Sequence, residues 1–243
     1  MIRSCLLAFA AACASWPASA VLIRPDRDDA EYLELASRYT ASIVPIAPAS
    51  EAVVVAPRWL LVPASRAPAA GKPIEIAGKS NVVARVVPHP DAKPRTPTDL
   101  ALVQLAEPVE GVKALPAYRR DDESGKPVVF VGHGATGVIG KTERREDFRA
   151  RGAINTIDAV TPQGLELRIK GLDDASDLQG ALVPGEEGAA AWLETDDGLF
   201  LAGIYYGDGK DANRFARVSA FAGWIDSVIA APAGGTAATP SGR

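Results

Sequence analysis

Short β-type runs, separated by clusters of glycine, proline and aspartate, occupy most of the chain between residues 42 and 218 and limit what it can fold into. The pattern predicts strands at Ser42–Ile46, Ala52–Val55, Trp59–Val62, Ile74–Ile76, Val82–Val87 and Leu100–Leu105. A second set is expected at Val128–Gly132, Ala153–Ile157, Leu165–Ile169, Ala190–Leu193, Leu199–Tyr205 and Phe215–Val218. In the run from Leu165 to Ile169, apolar and charged side chains alternate as a half-buried strand requires. Many short strands with turn signals between them are the mark of a barrel or a sandwich. Helical patterns are few. Asp28 offers an N-cap with Glu31 three residues on, and Ser219–Ile229 sets Phe221, Trp224, Ile225 and Val228 on one face. The charge-dense Arg119–Lys126 reads as a linker between the two strand sets. The expected class is all-β.

The two ends read differently from the middle. Arg3, the apolar run Leu6–Cys13 and Ala18-Ser19-Ala20 together have the form of a secretory signal peptide over residues 1–20. Its apolar run is too short to span a bilayer, and no other run is long enough. Both cysteines, Cys5 and Cys13, lie inside it, so cleavage after Ala20 leaves a chain without disulfides. The expected location is secreted or periplasmic. Acylation at Cys13 is the alternative, although stable anchoring takes more than one acyl chain. At the other end, residues 231–243 are small and rich in Pro, Gly and Thr, and are expected to form a disordered tail.

Charge and composition narrow the function. With 26 Lys and Arg against 30 Asp and Glu the net charge is −4, which argues against a protein that grips nucleic-acid phosphates. Two histidines and two cysteines leave little room for a zinc site, and any imidazole base must be His89 or His133. Gly132-His133-Gly134-Ala135-Thr136-Gly137 satisfies G-x-G-x-x-G, and Ala135–Thr142 overlaps it as a relaxed P-loop. Either motif needs a packed helix behind it, and the sequel from Glu143 to Gly152 is charged nearly all round, so the glycines are read as turn residues. Gly207–Asp211, with Asp173, Asp174 and Asp177, offers oxygen ligands without EF-hand spacing and is read as solvated loop charge. No cofactor, no metal, no nucleic acid and no membrane are expected.

Several segments in order carry a resemblance. Ala56-Pro57-Arg58-Trp59-Leu60-Leu61-Val62-Pro63-Ala64-Ser65 resembles S-P-x-W-V-L-T-A-A-H, and Asp99–Leu105 resembles D-I-A-L-L-x-L. Val131–Gly137 is similar to G-W-G-x-T-G, Ala202–Gly207 to G-I-x-S-W-G, and Arg217–Ile225 to a closing strand and terminal helix. These are segments of the trypsin-like serine proteases of the chymotrypsin fold (peptidase family S1), and the resemblance covers about residues 40 to 229. It implies two antiparallel Greek-key β-barrels, about 40–116 and 127–219, with a short C-terminal helix at 219–229, making residues 21–230 one protease-like domain.

The same resemblance exposes a degenerate site. The family's chemistry needs a Ser nucleophile, a His base and an Asp that orients the His. Asp99 falls on the Asp position, Ser65 on the His position, and Ser176–Ala181 on G-D-S-G-G-P, which puts Leu178 at the nucleophile. A leucine has no nucleophilic atom and a serine hydroxyl cannot accept a proton at neutral pH as imidazole does. Gln179 and Ser176 stand where glycines would shape an oxyanion hole. Asp99, lacking an imidazole, is expected to accept from Ser65 Oγ and from backbone N–H groups. Asp177 is either a solvated carboxylate or a partner for the amine of a newly freed Val21. Leu172, at the base of the primary pocket, gives no support for a Lys or Arg specificity.

The expected function is that of a catalytically inactive protease homologue that binds a protein or peptide in the cleft between its barrels, with no feature that specifies an oligomeric state. The alternative is an active secreted hydrolase with a rearranged site built on Ser65 or Ser176.

Overall fold

The computed structural model of the protein describes residues 19–47 and 50–231, so the body of the expected signal peptide and the C-terminal tail beyond Ala231 lie outside the described residues. Two sheets account for most of what is described. The first holds β2 (Ile43–Ala47), β3 (Ser50–Ala56), β4 (Trp59–Val62), β5 (Pro73–Ile76), β6 (Lys79–Pro88) and β7 (Ala101–Leu105). Their order is β2-β3-β4-β7-β6-β5, all pairs antiparallel, and the two outer strands β2 and β5 contact each other so that the sheet curls toward closure. Closure removes the exposed edges that short strands would otherwise present.

The second sheet gathers β8 (Pro127–Val138), β9 (Arg144–Thr156), β10 (Ala159–Val160), β11 (Gly164–Arg168), β12 (Gly180–Ala181), β13 (Ala190–Thr195), β14 (Gly198–Gly209) and β15 (Ala212–Arg217). It also takes in β1 (Ser19–Ile23) from the start of the described chain. Strand order is β10-β11-β15-β14-β13-β8-β1-β12, with β9 also paired to β8. One pairing departs from the expected antiparallel plan: β1 runs parallel to β8, with Leu22 opposite Gly137. β1 was not expected from the sequence, and it begins two residues before the expected cleavage point at Ala20.

Two helices complete the fold. α1 (Asp29–Ser37) is capped as expected, Asp28 accepting from the Ala30 N–H at 3.0 Å. α2 (Val218–Ala230) buries Val218, Phe221, Ala222, Ile225 and Val228. Among the described residues, no helix is long and apolar enough to cross a membrane.

Three apolar clusters hold these elements. One fills the first sheet with Val44, Leu60, Val62, Ile74, Val103 and their neighbours. Another fills the second around Phe130, Leu165, Leu167, Tyr205 and Phe215. The third lies between them: Val53, Leu61 and Leu102 from the first sheet meet Val131, Trp192 and Ile204 from the second, and Phe221, Ile225 and Val228 of α2 close over it. Both faces of the central strands are therefore buried, which is why Trp59–Val62 reads as an unbroken apolar run.

The charged stretch after Gly137 forms no helix. It continues β8 into β9 as a two-stranded ribbon, in which Arg144, Arg145 and Arg149 pair with Gly137, Thr136 and Gly134. The Arg119–Lys126 linker holds a buried residue: Glu123 accepts from Arg217 at 2.9 and 2.8 Å and from Ser219 Oγ at 2.5 Å, tying the linker to the base of α2.

Candidate functional site

Backbone pairing brings Ser65 to Asp99. β4 and β7 run side by side with Val62 opposite Ala101, Pro63 ends β4, and a 3-10 turn at Ala64–Arg66 then lifts Ser65 over the start of β7. The Ala64 N–H donates to the Asp99 carbonyl at 3.2 Å. The Asp99 carboxylate, 3% exposed, accepts from the Ser65 N–H at 2.8 Å, from Ser65 Oγ at 2.6 Å and from the Arg95 N–H at 3.2 Å. Three donors on one buried carboxylate leave its charge satisfied without a basic side chain. Arg95 adopts a φ of 59° to bring its N–H round, a conformation rare for a side chain of its size.

Neither histidine joins this pair. His89 follows β6, and its ring meets Phe221 and Trp224 edge-on at 5.2 and 5.1 Å between centroids, with Nδ1 accepting from the Asp91 N–H at 3.2 Å. Burial against α2 pulls its pKa down from the ordinary histidine value. His133, on β8, binds the carboxylate of Glu51 on β3 through Nδ1, so it joins the two sheets. Burial works against its charged form, yet the hydrogen bond to Glu51 and that residue's charge outweigh it and raise the pKa.

The segment expected to carry the nucleophile position packs on the second sheet. Leu178 packs among the apolar side chains of the second sheet, and its carbonyl accepts from the Ile154 N–H at 2.9 Å. Ser176 Oγ donates to the Ile154 carbonyl, and the Gln179 side chain bonds both the N–H and the carbonyl of Lys170, at 2.8 and 2.9 Å. Among the described residues, no hydrogen bond joins Ser176, Leu178 or Gln179 to Ser65 or Asp99. Leu172 is exposed on a turn. Asp177 does not meet Val21: its carboxylate is taken by Arg27, while Val21 continues β1 and its carbonyl accepts from Thr136 Oγ1 at 2.9 Å. Asp208, read from the sequence as a solvated charge, accepts from Tyr205 OH at 2.5 Å and from Asn213 at 2.8 Å.

A different turn crosses to the Ser65 side. Between β12 and β13, Gly185-Glu186-Glu187-Gly188 is held by Gly188, whose φ is 104° and where a Cβ would lie 2.3 Å from the Glu51 carbonyl oxygen. Only glycine fits that approach. Glu187, buried, accepts from Arg66 at 3.0 Å, and its carbonyl accepts from Ser50 Oγ at 3.0 Å. Glu186, 2% exposed, accepts from the Val183 N–H through one oxygen at 2.8 Å, while the other has no partner among the described residues. The second oxygen of Glu51 is in the same state. Burial pushes the Glu186 carboxyl well above its ordinary value; the Val183 N–H opposes the shift, and the charge of Glu51 adds to it. Sequence reasoning passed over this turn, although its glycine spacing was there to read.

With this geometry in hand, comparison with solved structures decides the architecture. A mutant of human heparin binding protein (CAP37) superposes with a TM-score of 0.61 at 17% identity, covering 82% of this chain and 96% of that one. The fold is the trypsin-like double barrel. The atomic-resolution structure of heparin binding protein agrees, with a TM-score of 0.62 at 16% identity and the same coverage. No protein-family model matches the chain, and no curated protein matches it in sequence. At this identity the likeness carries the double barrel and its terminal helix, and no residue's role.

Proposed function

We propose that the protein is a secreted trypsin-like protease homologue that has lost hydrolytic chemistry and acts by binding a protein or peptide across the seam between its barrels. The observation that carries this reading is the Ser65–Asp99 pair: the carboxylate that would orient an imidazole is instead saturated by a serine and two backbone N–H groups. Without an imidazole at that position, a neighbouring hydroxyl lacks the proton acceptor that the family's chemistry uses. The second support is Glu187. The spacing Gly185-Glu186-Glu187-Gly188 matches G-D-S-G better than Ser176–Ala181 does, and its Arg66 partner is next in the chain to Ser65. In this reading Glu187, not Leu178, stands at the nucleophile position. An ion pair then bridges the two barrels where substrate would be cut.

Ser65 and Arg66 are exposed beside this seam, which offers a peptide a hydroxyl and a guanidinium held by the buried Glu187. Panning a displayed random-peptide library against the purified chain tests the proposal. Enriched peptides should bind the parent and lose about tenfold or more in affinity to Arg66→Glu or Glu187→Arg. Peptides indifferent to both substitutions, or cleavage of casein by the purified parent, would overturn it.

A further inference from the structure

A cavity of about 480 Å³ opens on the second barrel, away from the Ser65–Asp99 pair. Its volume is that of a small-molecule site, typically roughly 300–1,000 Å³. β1 and the tip of the β8–β9 ribbon form it: the Ile139 N–H donates to the Ile23 carbonyl at 2.9 Å, and the chain then turns at Lys141 back toward β9. Ile23 and Val138 give the wall its apolar part. Gly137 keeps the ribbon closed over it, since a Cβ there would lie 2.6 Å from the Glu143 carbonyl oxygen and 2.9 Å from Arg144 Nη1.

The charged lining is unequal in what it has left to offer. Of its two acids, Asp29 is consumed by Arg151, a fully buried guanidinium that donates to it at 2.6 and 2.9 Å, and takes a third donor from Arg145 at 2.8 Å. Glu143 is exposed. Arg144 is pinned by backbone: its Nη1 donates to the Lys141 and Glu143 carbonyls at 2.7 and 3.0 Å, and among the described residues it pairs with no carboxylate. Lys141 likewise makes no ion pair among the described residues. Neutral carbonyls fix the position of a guanidinium without cancelling its charge, so Arg144 is oriented in advance for an anion. An apolar wall beside a fixed, uncompensated cation suits a ligand with an anionic head and a hydrocarbon body.

We propose that this cavity binds a small amphipathic anion, its head between Lys141 and Arg144 and its body against Ile23 and Val138. Octanoate, octanol and octylammonium are the probes, titrated into the purified chain by calorimetry and by methyl NMR. Octanoate should bind saturably, move the Ile23 and Val138 methyl signals, and bind about tenfold or more tighter than the other two. Lys141→Glu should weaken octanoate about tenfold or more, whereas Arg66→Glu at the inter-barrel seam should leave it unchanged. Arg144→Gln should weaken it too. Should that variant melt lower than the parent, Lys141→Glu, whose side chain carries no ion pair of the fold, decides alone. No saturable binding, equal binding of octanol, methyl shifts confined to other residues, or full affinity in Lys141→Glu would overturn the proposal.

Discussion

Asp99 shows at the residue scale how this chain satisfies a buried carboxylate. It is buried, charged and held by three donors, so removing it strands the Ser65 and Arg95 N–H groups, whereas removing only the Ser65 hydroxyl costs one bond. Asp99→Ala should therefore destabilise the chain by about 2–4 kcal/mol and Ser65→Ala by about 1 kcal/mol, read from urea unfolding. Equal losses would mean that the backbone donors contribute nothing. The pair was legible in the sequence because both residues lie in or beside strands whose apolar patterns fix their register. The counterpart proposed at position 187 was not. It sits in a turn between β12 and β13, where no periodicity sets the count, and Ser176–Ala181 offered a competing match nine residues earlier. A graft separates the two registers. Ser65→His with Glu187→Ser should yield slow peptide hydrolysis, and Ser65→His with Leu178→Ser should yield none; the reverse outcome would return Leu178 to the nucleophile position.

At the scale of elements, α1 and the β8–β9 ribbon are held by one buried cation. Arg151 bonds Asp29 at the start of α1 and Asp147 on the ribbon, each through two contacts between 2.6 and 2.9 Å. Next to it, Gly152 lets the helix approach so closely that a Cβ would lie 2.8 Å from the Ala36 nitrogen. Breaking such a network from the side of the shared cation leaves two carboxylates without it, and Arg151→Ala should cost about 3–5 kcal/mol. Hydrogen exchange should then show α1 opening before the rest of the fold. Unchanged protection of Tyr32–Ala36 would show that Gly152 and apolar packing hold the helix unaided. The capped start of α1 and the amphipathic α2 were readable from sequence. The ribbon was not, because it is exposed on both faces over Arg144–Glu146 and so carries no apolar alternation, only charge. β1 escaped notice for the opposite reason: its apolar run merges with the signal-like segment before it.

The whole molecule is two barrels with ionisable groups buried at their seam, and this gives stability a definite pH dependence. Asp29 and Asp147 are held below the ordinary carboxyl range by Arg151, so the stability they contribute is present above about pH 4 and lost as the pH falls. His133 is raised above 6.5 on balance by Glu51, so its contribution is complete below that value and lost as the pH rises through its folded pKa. Glu186 is raised above 4.5 by burial; the unfolded chain ionises it first, and stability declines from about pH 4.5 upward until the folded group ionises too. These signs place the maximum in the mildly acidic range, about pH 4–6. Glu186→Gln should flatten the alkaline limb, gaining on the parent progressively across the interval above about pH 4.5. A variant that runs parallel to the parent across that interval would show that Glu186 titrates normally in the folded chain.

The double barrel was legible because its strands are ordered and patterned. The loss of chemistry is a claim about side chains, and it is tested by asking whether any serine in the folded chain is nucleophilic. Intact-mass analysis after exposure to a fluorophosphonate probe measures this most directly. No adduct is expected on the purified parent protein under conditions that fully label an active serine hydrolase. A stoichiometric adduct, lost in Ser65→Ala or in Ser176→Ala, would contradict it.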